Sequence, residues 1–229
     1  MTRPHRRLLL AAAAAALLPP AAARAAAARL SETDAAGGVR EALARGAEAA
    51  VAQLGRTDGF LGNPRLRIPL PGYLNDAAKL MRKLGQGERV DALETAMNRA
   101  AEAAVPAART LLVQTVKAIS VEDALRIVSG GETSVTTFFA TKTREPLTAK
   151  FLPIVTRETE KVRLADKYNA VAGKAAGFGL LKDKDANLQQ YVTAKALDGL
   201  YAVIGEEEKK IRRDPVGTGS AILRKVFGA

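Results

Sequence analysis

The chain has no cysteine and no tryptophan, and its one histidine, His5, stands at the extreme N-terminal end. Without thiols there is no disulfide framework, no thiolate nucleophile and no lipid-modified N-terminal cysteine. Beyond His5 there is no imidazole either, which removes the usual near-neutral general base and the commonest nitrogen ligand for metals. No cofactor or metal is therefore expected, and acid–base work would fall to carboxylates, lysine and tyrosine. Long apolar runs are scarce too. The longest, residues 8–18, is eleven Leu and Ala residues, short of the roughly 20 that a membrane-spanning helix needs. The sequence has no Gly-x-Ser-x-Gly elbow, phosphate loop or dinucleotide fingerprint, and Gly85-Gln86-Gly87 is too short to stand for one.

What is present at the N-terminus has the order of an export signal. Arg3, Arg6 and Arg7 precede the apolar run, Pro19-Pro20 breaks it, and Ala23-Arg24-Ala25 offers a small-x-small cleavage site. The expectation is a cleavable signal over residues 1–28, with the new N-terminus between residues 24 and 29, followed by a single helical domain over 29–229. Arg6-Arg7 before three leucines leaves the twin-arginine route open beside the general secretory one. Either route predicts a periplasmic protein that has lost His5. The formal charge of +11 includes Arg3, Arg6, Arg7 and Arg24, so cleavage after Ala25 leaves 11 − 4 = +7. Nucleic acid is not an expected partner at that charge and address. An anionic lipid or polyanionic envelope polymer is one reading of the basic surface; mere solubility, with both signs interspersed, is the other.

Apolar residues recur at helical spacing almost throughout. In 34–54, Val39, Leu43, Ala47, Ala50, Val51 and Leu54 fall on one stripe, and Gly55 supplies a stop. Residues 56–72 carry three prolines and three glycines and are not helical; within them 65–70 alternates basic and apolar and reads as an extended strip pinned by Pro64, Pro69 and Pro71. Helices are predicted over 73–84 and 88–119, with a kink or break at Pro106, and over a short stretch opened by Ser120 and Asp123 and closed at Gly130-Gly131. The next helix, capped by Thr133 or Ser134, has an apolar pattern interrupted by Pro146 and Pro153. A short helix at 167–176, a long one at 188–213 and a terminal one at 220–227 complete the chain. No strand ladder appears, so the fold class is all-α: one multi-helix domain with kinked helices and one extended Pro-rich loop.

Six residues are binding candidates. Arg65 and Arg67 project from the stiffened strip, as anion contacts prefer, or belong to a loop merely clamped by Leu66, Ile68 and Leu70. Lys195 and Asp198, three apart on the long helix near Tyr191 and Tyr201, form a surface pair or a buried one with perturbed titration. Tyr168 and Asn169, beside a Gly-rich bend, offer hydrogen bonds to a ligand or to the core. Two other clusters have simpler readings. The run 206–213, Glu-Glu-Glu-Lys-Lys-Ile-Arg-Arg, is a solvated helix end with Glu206–Lys210 and Glu208–Arg212 pairs, and 183–187 is a helix N-cap rather than a cation loop.

Four strings, Asn-Pro-Arg-Leu-Arg-Ile-Pro-Leu-Pro at 63–71, Val-Asp-Ala-Leu-Glu at 90–94 leading to Met-Asn-Arg-Ala-Ala-Glu at 97–102, Lys-Phe-Leu-Pro-Ile-Val at 150–155 and Tyr-Val-Thr-Ala-Lys-Ala-Leu-Asp-Gly-Leu at 191–200, together resemble a bacterial envelope family, domain of unknown function 4197. The resemblance spans about 30–227 and implies one exported helical domain, with no activity, cofactor or catalytic residue attached. Tyr201 stands where Phe is expected in relatives, which favours packing over a catalytic hydroxyl. The expected function is a non-enzymatic binding or interaction module of the cell envelope. The alternative is a hydrolase or lyase built on Asp198, Lys195 and Tyr168.

Overall fold

The computed structural model describes residues 31–161 and 187–228. Among the described residues all regular structure is helical. The helices are α1 (Glu32–Leu54), α2 (Asn75–Lys83), α3 (Gly87–Ala104), α4 (Ala108–Lys117), α5 (Val121–Val128), α6 (Ser134–Glu160), α7 (Leu188–Arg213) and α8 (Ala221–Phe227). α1, α3, α6 and α7 form the centre; α4 and α5 cover other sides of α1, α8 packs on its N-terminal half, and α2 lies at the edge against α3.

Local chemistry explains most boundaries. All six predicted stripe residues of α1 are buried. Ser120 and Ser220 cap α5 and α8 by accepting the amides of Asp123 and Leu223, and Asn187 caps α7 by accepting that of Gln190. Pro106 splits the predicted 88–119 helix, because its missing N–H ends α3; a 3-10 turn, Val105–Ala107, bridges to α4. The α2–α3 turn is a Schellman motif: Gly85 has φ +74°, its amide donates to Arg82 O, and Gln86 N donates to Met81 O.

α6 departs from expectation. Pro146 and Pro153 sit inside one continuous helix of 27 residues, on its exposed side. The carbonyls they leave without a donor, those of Lys142 and Ala149, also belong to exposed residues, so water can serve them. The buried residues of α6, Val135, Phe139, Thr143, Leu147, Phe151, Val155 and Thr159, recur at every fourth position. At 3.6 residues per turn such a line advances about 40° per step and turns roughly two-thirds of the way around the helix. α6 is therefore gripped from different sides along its length, with α3, α4 and α7 as its main neighbours.

Candidate functional site

One face of α3 holds the Pro-rich segment. Glu94, Asn98 and Glu102 recur every four residues and so share that face, with Arg99 beside them. Buried Asn98 accepts the Ile68 amide through Oδ1 at 2.8 Å and donates Nδ2 to Ile68 O at 3.0 Å and to Glu94 O at 2.8 Å. Its side-chain amide thus replaces a strand partner for Ile68. Glu102, 4% exposed, accepts the amides of Phe60 and Leu61, both at 3.0 Å, and Arg99 joins its carboxylate to Asp58. The strip differs from the prediction at its start: Arg65 and Leu66 lie in a turn, not in extended chain. Pro64 favours the second position of a turn, and Asn63 closes it by accepting the amides of Leu66 and Arg67 on its carbonyl and that of Arg65 on Oδ1. From Arg67 to Pro71 the chain belongs to no helix; Ile68 is buried while Arg65 and Arg67 face out.

α7 supplies the opposite wall. Gly199 is required for its close approach: a Cβ there would lie 2.6 Å from Cε1 of the fully buried Phe60 ring. Tyr191 ties the strip down from the same helix, its hydroxyl donating to Pro69 O at 3.1 Å. Between strip and helix runs a shallow groove of about 300 Å³ lined by Arg65, Leu66, Arg67, Ile68, Pro69, Lys195, Asp198, Gly199 and Ala202. Four of the six sequence candidates, Arg65, Arg67, Lys195 and Asp198, meet there. Tyr168 and Asn169 lie outside the described residues, as do residues 183–186 and the predicted 167–176 helix.

The charges around the groove are mostly paired across elements. Arg65 reaches Glu206 on α7 at 2.9 Å and Arg67 reaches Glu94 on α3 at 2.8 Å. Asp198 does not pair with Lys195 as expected; it takes Arg144 of α6 at 3.0 Å, because α6 packs along α7 and presents that guanidinium to it. Lys195 makes no ion pair among the described residues, and its Nζ lies 5.9 Å over the Tyr191 ring. Arg144 also stacks 5.0 Å over Tyr201, whose hydroxyl meets Thr143 Oγ1 at 2.8 Å. Thr143 has one hydroxyl hydrogen and gives it to Phe139 O, so Tyr201 is the donor. Burial pushes the Tyr201 phenol above its ordinary value despite the opposing pull of Thr143. It is a protonated core tyrosine, as the packing reading anticipated.

The charge run on α7 needs a correction. Glu208–Arg212 forms at 3.1 Å, but the Glu208 side chain is 2% exposed and the run is not simply solvated. Glu208 accepts the amides of Val135 and Thr136 and the Thr136 hydroxyl, at 2.9 to 3.1 Å. It caps the N-terminus of α6 from another helix, a role expected of Thr133 or Ser134. Ser134 instead donates to Ile127 O, and Arg212 contacts both. Glu206 bonds Arg65 rather than Lys210, which turns to Glu207.

Sequence reading did not single out Asn98, Glu102, Glu94 or Arg144, although the first three lie in the 90–102 strings quoted for the resemblance. Their common face at four-residue spacing was the available signal. A family model described as a protein of unknown function, DUF4197, matches residues 29–228. The chain belongs to the DUF4197 family. No curated protein and no solved structure matches it. In this DUF4197 protein no helix among the described residues is long and apolar enough to cross a membrane, and no cluster of three metal-ligating side chains occurs among them.

Proposed function

We propose that the protein is an exported, non-enzymatic binding module of the cell envelope whose groove between the 65–69 strip and α7 takes an anionic group. The observation that carries this reading is the convergence of Arg65, Arg67 and Lys195 on one groove, with Lys195 free of any carboxylate partner among the described residues. Each arginine has five N–H donors and spends few on its carboxylate, so a phosphate or carboxylate can be added without breaking the pair. The walls are preformed by Asn98, Tyr191 and the apolar anchors of the strip, which lowers the ordering cost of binding. The basic leader, its apolar run and the small-residue site at 23–25 support export to the periplasm.

Titrating the purified protein with a soluble polyanion, such as short-chain polyphosphate, tests the reading. Binding is expected at low salt and weakens as screening increases. Lys195→Glu should lower affinity about tenfold by reversing the one uncompensated charge, with the thermal midpoint unchanged. Absence of binding at low salt, or equal affinity of Lys195→Glu, contradicts it. Export is checked separately, by the N-terminal residue of protein recovered from the periplasmic fraction.

A further inference from the structure

α2 is exposed in an unusual way. Its inner face is formed by Leu74 before it and by Ala78 and Met81, all partly buried, at spacings of four and three. Leu80 and Leu84 stand about a quarter-turn or more away from that face. They are 58% and 68% exposed, the two most exposed leucines among the described residues. Lys79 and Lys83 follow on the next strip around the helix, one residue before each leucine. α2 therefore carries a second apolar edge, bordered by lysines, that the core does not use. Across 75–89 there are four basic residues, Lys79, Arg82, Lys83 and Arg89, against the acids Asp76 and Glu88. Arg82 pairs with Asp91 of α3 at 2.6 Å, and the Gly85 turn fixes the end of the helix, so this edge is held outward on a stiff mount.

From this we infer that α2 docks the protein on an anionic lipid bilayer, Leu80 and Leu84 entering the headgroup boundary while Lys79 and Lys83 meet lipid phosphates. Two exposed leucines one turn apart, flanked by amines on flexible stems, match an interfacial helix lying in the membrane plane. The positive charge selects this occupant over a second copy of the chain, because a two-fold contact through the same edge would set Lys83 near Lys83. This surface is distinct from the groove, and either assignment can fail without the other.

The test is co-sedimentation of the protein, in the form the cell processes it, with two kinds of vesicle. One is phosphatidylcholine alone; the other contains about one-third phosphatidylglycerol. At low salt, partition onto the anionic vesicles should be at least about tenfold stronger, and the paired variant Leu80→Ser, Leu84→Ser should lose about tenfold of it. Lys83→Glu should lose a comparable amount through charge, while Lys150→Glu, reversing an exposed charge on α6 outside both surfaces, should cost no more than about twofold. Both α2 variants alter exposed side chains and should melt like the wild type. Failure to bind anionic vesicles, equal binding by the paired leucine variant, or a concentration-dependent dimer that the leucine variant abolishes would each overturn the inference. If Lys195→Glu abolishes vesicle binding and the leucine variant does not, the bilayer is engaging the groove, and α2 is not the docking element.

Discussion

Glu208→Ala is expected to destabilise the protein by about 3–5 kcal/mol, the range for breaking a buried charge pair from one side. The variant leaves the amides of Val135 and Thr136 and the Thr136 hydroxyl without their acceptor, at the N-terminus of the longest described helix. It also strands Arg212, which is held between Ser134, Ile127 O and the Phe227 ring. For a chain of this size the loss is a drop in thermal midpoint of about 10 °C or more. Glu208→Gln keeps the shape and one acceptor and should cost less, about 1–3 kcal/mol. Adding Arg212→Met to Glu208→Ala removes the stranded cation, so the double variant should be more stable than additivity allows; additive losses would mean that the two side chains are not coupled.

Asn98→Ala should cost about 2–4 kcal/mol, since both backbone groups of buried Ile68 lose their partner in a place water does not reach. The effect on the site should exceed the effect on stability. Arg67 directly precedes the clamped Ile68 and Arg65 lies two residues further back, so releasing the clamp frees the strip that carries them. Limited trypsin digestion at a temperature where the variant is still folded reads this directly. Cleavage at Arg65–Leu66 and Arg67–Ile68 should quicken by at least about tenfold, while sites on α1 and α7 remain protected. Uniform acceleration at all sites would instead mean global destabilisation.

The sequence is most legible where buried residues recur at helical spacing from one end of a helix to the other. In α1 and α7 buried residues recur at steps of three and four along the whole helix, so the spacing predicts both, and the stretch from 188 to about 213 matches α7. α6 was less legible because its buried line drifts around the helix and its prolines face water, a condition that depends on packing rather than on local pattern. An i,i+4 pair of Glu208 with Arg212 has the same spacing whether exposed or buried, so spacing alone implies a solvated Glu208. What buries it is the start of α6, more than 70 residues away in the chain.

The site shows the same division. The stiff setting of Arg65 and Arg67 and the place of Lys195 and Asp198 beside tyrosines are legible locally, but nothing local implies that the two sets share a groove. That convergence rests on long-range contacts: Asn98 gripping Ile68, Gly199 admitting Phe60, and Glu206 meeting Arg65. Asp198 drew attention as a partner for Lys195, its near neighbour in sequence. Its actual partner, Arg144, comes from a different helix, and that exchange is what leaves Lys195 available.

We propose that an anion binds in the groove between the 65–69 strip and α7. The most direct test is residue-resolved nuclear magnetic resonance of the isotope-labelled protein during titration with short-chain polyphosphate at low salt. Amide shifts are expected to be confined to residues 65–68 and 195–202, with the guanidinium signals of Arg65 and Arg67 and the Lys195 ammonium signal moving in step, and to be lost in Lys195→Glu. Shifts spread evenly over all exposed lysines and arginines, or clustered elsewhere with the groove silent, would contradict it.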